Sequence, residues 1–199
     1  FHVLQCFGQI RTGIYMQEAV PQGGAMVAVL GLDTAVIEQI CEETPGMVTI
    51  ANYNCPGQIV ITGEEGAAQA AVEKLTAAGA KRCVQLKVSG PFHSPLLAGA
   101  GEKLAKELET VEIHDIQIPY IANVTADYVK DKADVKPLLE KQVSSSVKWQ
   151  QTVERMIADG VDTFIEIGPG KTLSGFMRKI SRDVKVINIE KIEDLEKLG

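Results

Sequence analysis

The sequence has 199 residues, which is enough for one domain with a sizeable core or for two small lobes. Its formal net charge of -6 and its pI of about 5.2 argue against a general nucleic-acid binder, because such proteins need clustered Lys and Arg and no cluster occurs here. Four widely spaced cysteines favour neither a metal site nor a disulfide framework, and no apolar run approaches the ~20 residues of a membrane span, so a cytoplasmic protein is predicted.

Residues 25–88 predict six elements in the order βαββαβ. An apolar strand, "AMVAVLGLD", leads into a helix, and two β-rich runs then meet across "CPG", which is typical of a hairpin turn. A second helix follows, with Thr62 and Glu65 at the spacing of a capping box, and the alternating run "RCVQLKV" completes the set. This order matches a ferredoxin-like lobe with two helices on one face of an antiparallel sheet.

The residues after 88 have a different pattern. Ser94 and Pro95 predict the start of a helix, with Ser94 as its N-cap, and "IQIPYIANV" predicts a short strand. Two helices are predicted in "VKPLLEKQV" and "WQQTVERMIADG". The final runs "VDTFIEIGPG", "KTLSGFMRKI" and "DVKVINI" predict a strand, a helix and a strand, whose apolar strands belong in a parallel sheet covered on both sides.

Several polar residues are candidates for a functional site. His93 directly precedes the predicted N-cap, at a loop-to-helix junction where catalytic groups commonly lie, although position alone favours a structural histidine. Asn52 and Asn54 fit a hairpin and could also contact a ligand, while capping alone would explain the serines after Gln142. The glycines of "EIGPGKTL" lack the full spacing of a phosphate loop, so a tight strand-to-helix turn is predicted there.

Six segments together resemble one family. They are "GIYMQEAVP", "GAMVAVLGL", "NYNCPGQIVITG", "GAKRCVQLKVSGPFHSPLL", "QVSSSVKW" and "EIGPGKTLSGFMRKI". They occur in the order found in malonyl-CoA:acyl carrier protein transacylases, and the resemblance runs from Gly13 to about Ile189.

The resemblance implies an α/β fold with two lobes. Residues 1–24 and 89–199 would form an incomplete α/β-hydrolase-like acyltransferase lobe, and residues 25–88 an inserted ferredoxin-like lobe, with the active site between them. The implied enzyme moves malonyl from malonyl-CoA to the phosphopantetheine thiol of acyl carrier protein in fatty acid biosynthesis, by ping-pong acyl-serine chemistry. The implied partners are a coenzyme A thioester and acyl carrier protein, and no cofactor, metal, membrane or nucleic acid is implied.

The same likeness implies roles for individual residues. His93 would be the base that deprotonates the serine and later the incoming thiol. Gln142 matches the residue whose main-chain carbonyl accepts the imidazole N–H in place of a triad carboxylate. Phe92 matches a bulky residue that leaves no room for a methyl branch on malonate, a discrimination of about 1–3 kcal/mol. Asn52 and Asn54 stay candidates for substrate contacts.

Several features depart from the family pattern. The family nucleophile sits in a G-x-S-x-G elbow, and no such pentapeptide occurs in the sequence, so the chain alone is predicted to be inactive. The arginine that binds the malonyl carboxylate would directly precede Gly13, but Thr12 stands there, and Arg11, one residue earlier, is kept as a candidate. Residues 1–12 otherwise carry none of the pattern, and we expect them not to be native family sequence.

Two alternatives stay open. The chain could be a non-catalytic remnant that binds acyl carrier protein or coenzyme A, or a fragment of a polyketide-synthase acyltransferase. In each case a large lobe without its elbow strand is expected to expose apolar edges of a parallel sheet. Candidates for docking an acidic carrier protein are Lys81, Arg82, Lys171, Arg178 and Lys179.

Overall fold

The fold is given by a computed structural model, which describes residues 23–88 and 90–198. Arg11, one of the candidate substrate-binding residues, lies outside these ranges, as does Cys6. Within them, Cys41 and Cys55 are buried and Cys83 is half-buried, and all three are free thiols. No helix of the described ranges is long and apolar enough to cross a membrane.

Residues 24–85 form a four-stranded antiparallel sheet with two helices. The elements are β1 (Gly24–Leu30), α1 (Thr34–Glu42), β2 (Val48–Cys55), β3 (Gln58–Glu64), α2 (Glu65–Ala77) and β4 (Arg82–Gln85). The strands lie in the order β2-β3-β1-β4, and each neighbouring pair is antiparallel. The element order is the one predicted for residues 25–88.

Alternation along the strands separates the apolar side chains of this sheet onto two faces. One face packs against α1 and α2 and forms the main core. The fully buried large side chains of this core are Val29, Ile37, Ile59, Ile61 and Leu75. The opposite face carries Met26, Ala51 and Val60, and Phe92 of the following segment packs against it. This second face therefore borders the region where the candidate residues lie.

Local signals set the ends of these elements. The Asp33 carboxylate accepts a hydrogen bond from the Ala35 N–H at 2.9 Å and caps α1, and Gly57 takes a φ of 72° in the turn between β2 and β3. The predicted capping box is wrong: Thr62 is fully buried inside β3, pairs with Met26 of β1, and makes no cap bond to α2. The pairing of β1 with β3 extends to Glu64, so Thr62 belongs to the strand and is not available to cap the helix.

The remaining residues are mainly helical. After a 3-10 turn at Pro95–Leu97 come α3 (Ala98–Leu108), β5 (Ile121–Ala122), β6 (Asp127–Tyr128), α4 (Val135–Ser144), α5 (Trp149–Ala158), β7 (Thr163–Ile167), α6 (Thr172–Ile180) and β8 (Lys185–Ile189). A 3-10 turn at Lys132–Asp134 precedes α4, and another at Ile192–Leu198 follows β8. Strands β7 and β8 pair in parallel across α6, as the sequence predicts.

Two strand predictions fail in this region. Only Ile121 and Ala122 of the predicted strand "IQIPYIANV" are extended and paired, and Ile118 is 80% exposed. Strand β7 is not covered on both sides, since Ile165 and Ile167 are 47% and 80% exposed. Within the described residues the parallel sheet contains only β7 and β8, so the segment around Ile118 does not join it. The face of β7 that carries Ile165 and Ile167 is left exposed there.

Candidate active site

His93 lies in a rigid loop between the antiparallel sheet and α3. Its backbone has a φ of 59°, in the left-handed region that favours glycine, so its conformation must be held by its surroundings. The buried Ser94 hydroxyl donates to the Pro91 carbonyl oxygen at 2.8 Å, and Pro91 packs so closely on Gly24 that a Cβ there would lie 2.4 Å from its Cδ atom. Ser94 occupies the predicted N-cap position, but its hydroxyl closes the loop and does not cap the helix.

The His93 ring is oriented by a main-chain carbonyl at the end of α4. Its Nδ1 atom lies 2.9 Å from the Gln142 carbonyl oxygen. A carbonyl oxygen can only accept, so Nδ1 carries the proton and donates it, which leaves Nε2 unprotonated. The Gln142 amide nitrogen is 3.5 Å from Nδ1 and also 3.5 Å from the Ser145 carbonyl oxygen, to which it can donate. The structure therefore brings together the two residues that were predicted to act together.

The surroundings keep the His93 ring neutral. Burial lowers the pKa of His93 from its ordinary value of 6.5, while hydrogen bonds to the carbonyls of Gln142 and Ser145 act in the opposite direction. The net pKa is below the ordinary value, so the ring is unprotonated at neutral pH. An unprotonated Nε2 in a fixed ring can accept a proton from a substrate or from a nucleophile.

Phe92 fills the space between the two parts of the molecule beside His93. Its side chain packs on one side against the sheet face of Met26, Ala51 and Val60. On the other side it packs against the cluster around Leu97 at the start of α3. Phe92 thus limits the volume available next to the imidazole.

The predicted ligand contacts Asn52 and Asn54 lie on β2, an edge strand of the antiparallel sheet. Asn52 follows a β-bulge, pairs with Val60, and forms an isolated parallel bridge with Val147. Asn54 lies at a second irregularity of the strand, and both side chains are half-buried. Within the described residues neither side chain hydrogen-bonds to His93, so the structure does not join them to it.

The predicted tight turn at Gly168 and Gly170 is observed. Both glycines have positive φ, at 138° and 88°. The Glu166 carboxylate accepts hydrogen bonds from the Leu173 N–H at 3.0 Å and the Ser174 N–H at 2.9 Å, and also from the Ser174 hydroxyl. Desolvation raises the pKa of Glu166, but these hydrogen bonds outweigh it and the net pKa is lowered. A carboxylate thus already occupies the N-terminus of α6, where a phosphate would otherwise bind.

The run of three serines after Gln142 has a role that the sequence reasoning missed. These serines do not cap α5, whose N-cap is Lys148 without a side-chain bond. The Ser146 hydroxyl donates to the Ile50 carbonyl oxygen of β2 at 2.6 Å, and the Ser145 carbonyl faces the Gln142 amide. A polar run directly after a helix signals a helix end, but no local pattern shows that it bonds to a strand 96 residues away in sequence.

The described residues supply a base but not a complete set of catalytic groups. No Ser or Thr hydroxyl in them hydrogen-bonds to the His93 ring, whose described partners are Gln142 and the backbone of Ser145. No group of three or more His, Cys, Asp or Glu side chains in this part of the chain is placed to hold a metal ion. The arrangement can therefore accept and return a proton.

Comparisons with known proteins match the chain to one family. An acyl transferase domain model matches residues 9–194. The malonyl CoA-acyl carrier protein transacylase of Bacillus subtilis (strain 168) is 45% identical over 190 residues, which cover 94% of this chain and 60% of that protein. The chain thus spans about three fifths of the length of the curated relatives it matches.

The solved structures to which the chain is similar include transacylases of the same kind. The chain is similar to MCAT from Streptococcus pneumoniae, with 45% identity and a TM-score of 0.86 over 93% of this chain and 61% of that one. It is also similar to a malonyl-transacylase solved in complex with a type II PKS acyl-carrier protein, with 37% identity and a TM-score of 0.88 over 92% of this chain and 60% of that one.

Proposed function

Because the chain belongs to the acyl transferase domain family, we propose that it is the base-bearing part of a malonyl-CoA:acyl carrier protein transacylase. The observation that carries this proposal is the 2.9 Å contact between Nδ1 of His93 and the Gln142 carbonyl oxygen. That contact fixes the tautomer that acyl transfer through serine requires of its base. The 45% sequence identity to a transacylase, over 94% of the chain, supplies the reaction class.

In the proposed reaction the nucleophilic serine comes from residues outside this sequence. Nε2 of His93 takes the proton of the serine hydroxyl as the serine oxygen attacks the thioester carbonyl of malonyl-CoA. The C–S bond then breaks, and the protonated ring returns its proton to the departing coenzyme A thiol. The phosphopantetheine thiol repeats the cycle in reverse on the malonyl-serine ester. Throughout, the Gln142 carbonyl stabilises the imidazolium without adding a formal charge.

Substrate selection in this proposal falls to the residues around His93. Phe92, packed between two apolar clusters, would leave no room for a methyl branch on malonate. Asn52 and Asn54 lie on the neighbouring edge of β2 and would contact the substrate, and Arg11 is kept as the candidate for its carboxylate. The reaction needs no cofactor, because transfer between thioesters takes only a nucleophile, a base and an oxyanion hole.

We assign the two parts of the fold to the two lobes of the family. The βαββαβ unit of residues 25–88 would be the ferredoxin-like insert, and residues 1–24 and 89–199 would belong to the α/β-hydrolase-like lobe. The position of Phe92 and His93 between the sheet and α3 supports this division. The site would then open between the lobes.

The proposed protein partner is an acidic acyl carrier protein. The exposed Arg178 and Arg182 line a surface cavity of about 450 Å³ at the end of α6, next to Lys179. Basic side chains around a cavity attract an acidic partner and speed its encounter. These residues, with Lys171, Lys81 and Arg82, are the candidates for docking.

A polyketide pathway is the second candidate for the physiological role. The similarity to a malonyl-transacylase bound to a type II PKS acyl-carrier protein favours it. The curated relative from Bacillus subtilis has the higher sequence identity to this chain, 45% compared with 37%. The two roles share one reaction and differ in which carrier protein accepts the malonyl group.

The experiment that tests the proposal supplies the missing nucleophile. The chain is co-produced with the part of the Bacillus subtilis relative that the match does not cover, which by the family resemblance carries the elbow serine, and is then incubated with radiolabelled malonyl-CoA. We expect acid-stable label on the serine-bearing part in the complex, and no label on this chain alone. Adding acyl carrier protein should then discharge the label onto its thiol.

The matched control replaces this chain with the corresponding C-terminal part of the relative itself. If that pair takes up malonyl and the pair containing this chain does not, the proposed function is wrong and the non-catalytic alternative stands. Stable label on this chain without any partner would contradict the proposed source of the nucleophile.

A further inference from the structure

The segment after α4 connects the orienting carbonyl of His93 to the antiparallel sheet. Ser145 leaves the helix with extended backbone angles, at φ −123° and ψ 152°. Val147 then joins the edge of β2, where its N–H donates to the Ala51 carbonyl at 2.8 Å and its carbonyl accepts from the Tyr53 N–H at 2.9 Å. Two backbone hydrogen bonds therefore attach the end of α4 to the sheet.

One side chain adds to this attachment. The Ser146 hydroxyl donates to the Ile50 carbonyl oxygen at 2.6 Å, beside the β-bulge between Ile50 and Asn52. Ser146 is half-buried, so the bond is partly shielded from water. The neighbouring Ser144, the last residue of α4, makes no side-chain hydrogen bond to the described residues.

This attachment determines the hydrogen-bond partner of the Gln142 carbonyl. If α4 continued for one more turn, the N–H of residue 146 would bond to the carbonyl of residue 142. Residues 146 and 147 are instead held on β2, so the Gln142 carbonyl has no helical partner and accepts the Nδ1 proton of His93. The helix end and the imidazole thus compete for one oxygen atom.

We propose that Ser146 is a positioning residue, whose hydroxyl holds the end of α4 on the β2 edge so that the Gln142 carbonyl keeps His93 in the Nδ1–H tautomer. The inference rests on the proposed function in taking His93 as the base. It adds that the tautomer of the base depends on a contact between α4 and the antiparallel sheet, made by a side chain that does not itself hydrogen-bond to His93.

The test compares two variants of nearly equal shape in the full chain. Ser146→Thr keeps the hydroxyl, whereas Ser146→Val removes it, and the extended backbone there accepts a β-branched residue. The tautomer ratio of His93 is read from the ¹⁵N shifts of its ring nitrogens by NMR. We expect S146V to shift that ratio about fivefold toward the Nε2–H form, the effect of losing one typical hydrogen bond, and S146T to retain the wild-type ratio.

Two controls make the result specific. Ser144→Ala should leave the His93 ratio unchanged, and the exposed ring of His114 should not respond in any variant. S146A serves as a second hydroxyl-free variant if S146V does not give a folded backbone spectrum. A wild-type ratio in folded S146V or S146A, or an equal shift in S144A, would overturn the inference. Because the readout involves no malonyl transfer, it can succeed or fail independently of the proposed function.

Discussion

At the scale of single residues, His93 combines an unfavourable backbone conformation with a half-buried ring. Its φ of 59° is unfavourable for a residue with a Cβ, and the packing of Pro91 and Ser94 holds it there. Strain of this kind is found at positions where a side chain must point in one direction. In His93 the side chain points so that Nδ1 lies within hydrogen-bond distance of the Gln142 carbonyl oxygen.

The acid–base behaviour of His93 follows from its burial. Burial lowers its pKa below 6.5, so we expect an NMR titration of the full chain to give a His93 pKa under that value. As the pH falls below 6.5, the unfolded chain takes up a proton that the folded ring resists, so stability should fall until the pH reaches the folded pKa. Urea unfolding of H93Q should show less of this loss, and a His93 pKa at or above 6.5 would contradict the account.

The site could be predicted from the sequence only in part. The residues alone mark His93 as a loop histidine and cannot choose between a structural and a catalytic one, because its partner Gln142 lies 49 residues away. The family resemblance supplied that pair. It could not supply the bond from Ser146 to Ile50, which depends on how an irregular segment docks on a strand edge.

At the scale of elements, β1 and the His93 loop pack very closely at Gly24 and Pro91. A Cβ at Gly24 would lie 2.4 Å from Cδ of Pro91, whereas one at Gly66 in α2 would meet nothing within 4 Å. We expect Gly24→Ala to lower the free energy of unfolding by about 1–3 kcal/mol through overpacking. Gly66→Ala should raise it by up to about 1 kcal/mol, because alanine favours the helix.

Urea unfolding followed by circular dichroism measures both changes. The His93 ring signals provide a second readout, since displacing Pro91 moves a residue only two positions away. Equal stability of the Gly24→Ala and wild-type proteins would mean that the crossing is not tightly packed.

Elements were predictable where local pattern and final environment agree. The βαββαβ order of residues 25–88 follows from strand alternation, helical spacing and the Pro56-Gly57 turn, all of which are local. Thr62 was assigned to a helix cap because its spacing to Glu65 fits, but the β1–β3 ladder continues through it. The strand predicted around Ile118 failed because pairing is a property of the sheet and no partner strand lies beside it in the described residues.

At the scale of the whole molecule, apolar surface is left exposed in the described structure. It includes Ile118, Ile165 and Ile167, whose side chains are exposed by 80%, 47% and 80%. Two of these residues lie on β7, which within the described residues pairs only with β8. Exposed apolar strands with a free edge promote association.

We therefore expect the purified chain to self-associate, and Ile165→Thr with Ile167→Thr to reduce that association. Threonine keeps the preference for extended backbone while removing apolar surface. Sedimentation velocity over a concentration series measures the effect, with Ile59→Val, a conservative change in the main core, as the control. A monodisperse wild-type monomer at all concentrations would show that this surface does not drive association.

The central claim is that the imidazole of residue 93 is the proton acceptor in malonyl transfer, and one substitution isolates it. His93→Gly removes the ring while suiting the positive φ of the loop, so the backbone is preserved. In the complex that carries the elbow serine, we predict that H93G loses about 10²–10⁴-fold in the rate of malonyl transfer and that added imidazole restores part of it. An H93G complex that transfers malonyl at the wild-type rate, or one that imidazole does not restore although it binds malonyl-CoA normally, would contradict the account.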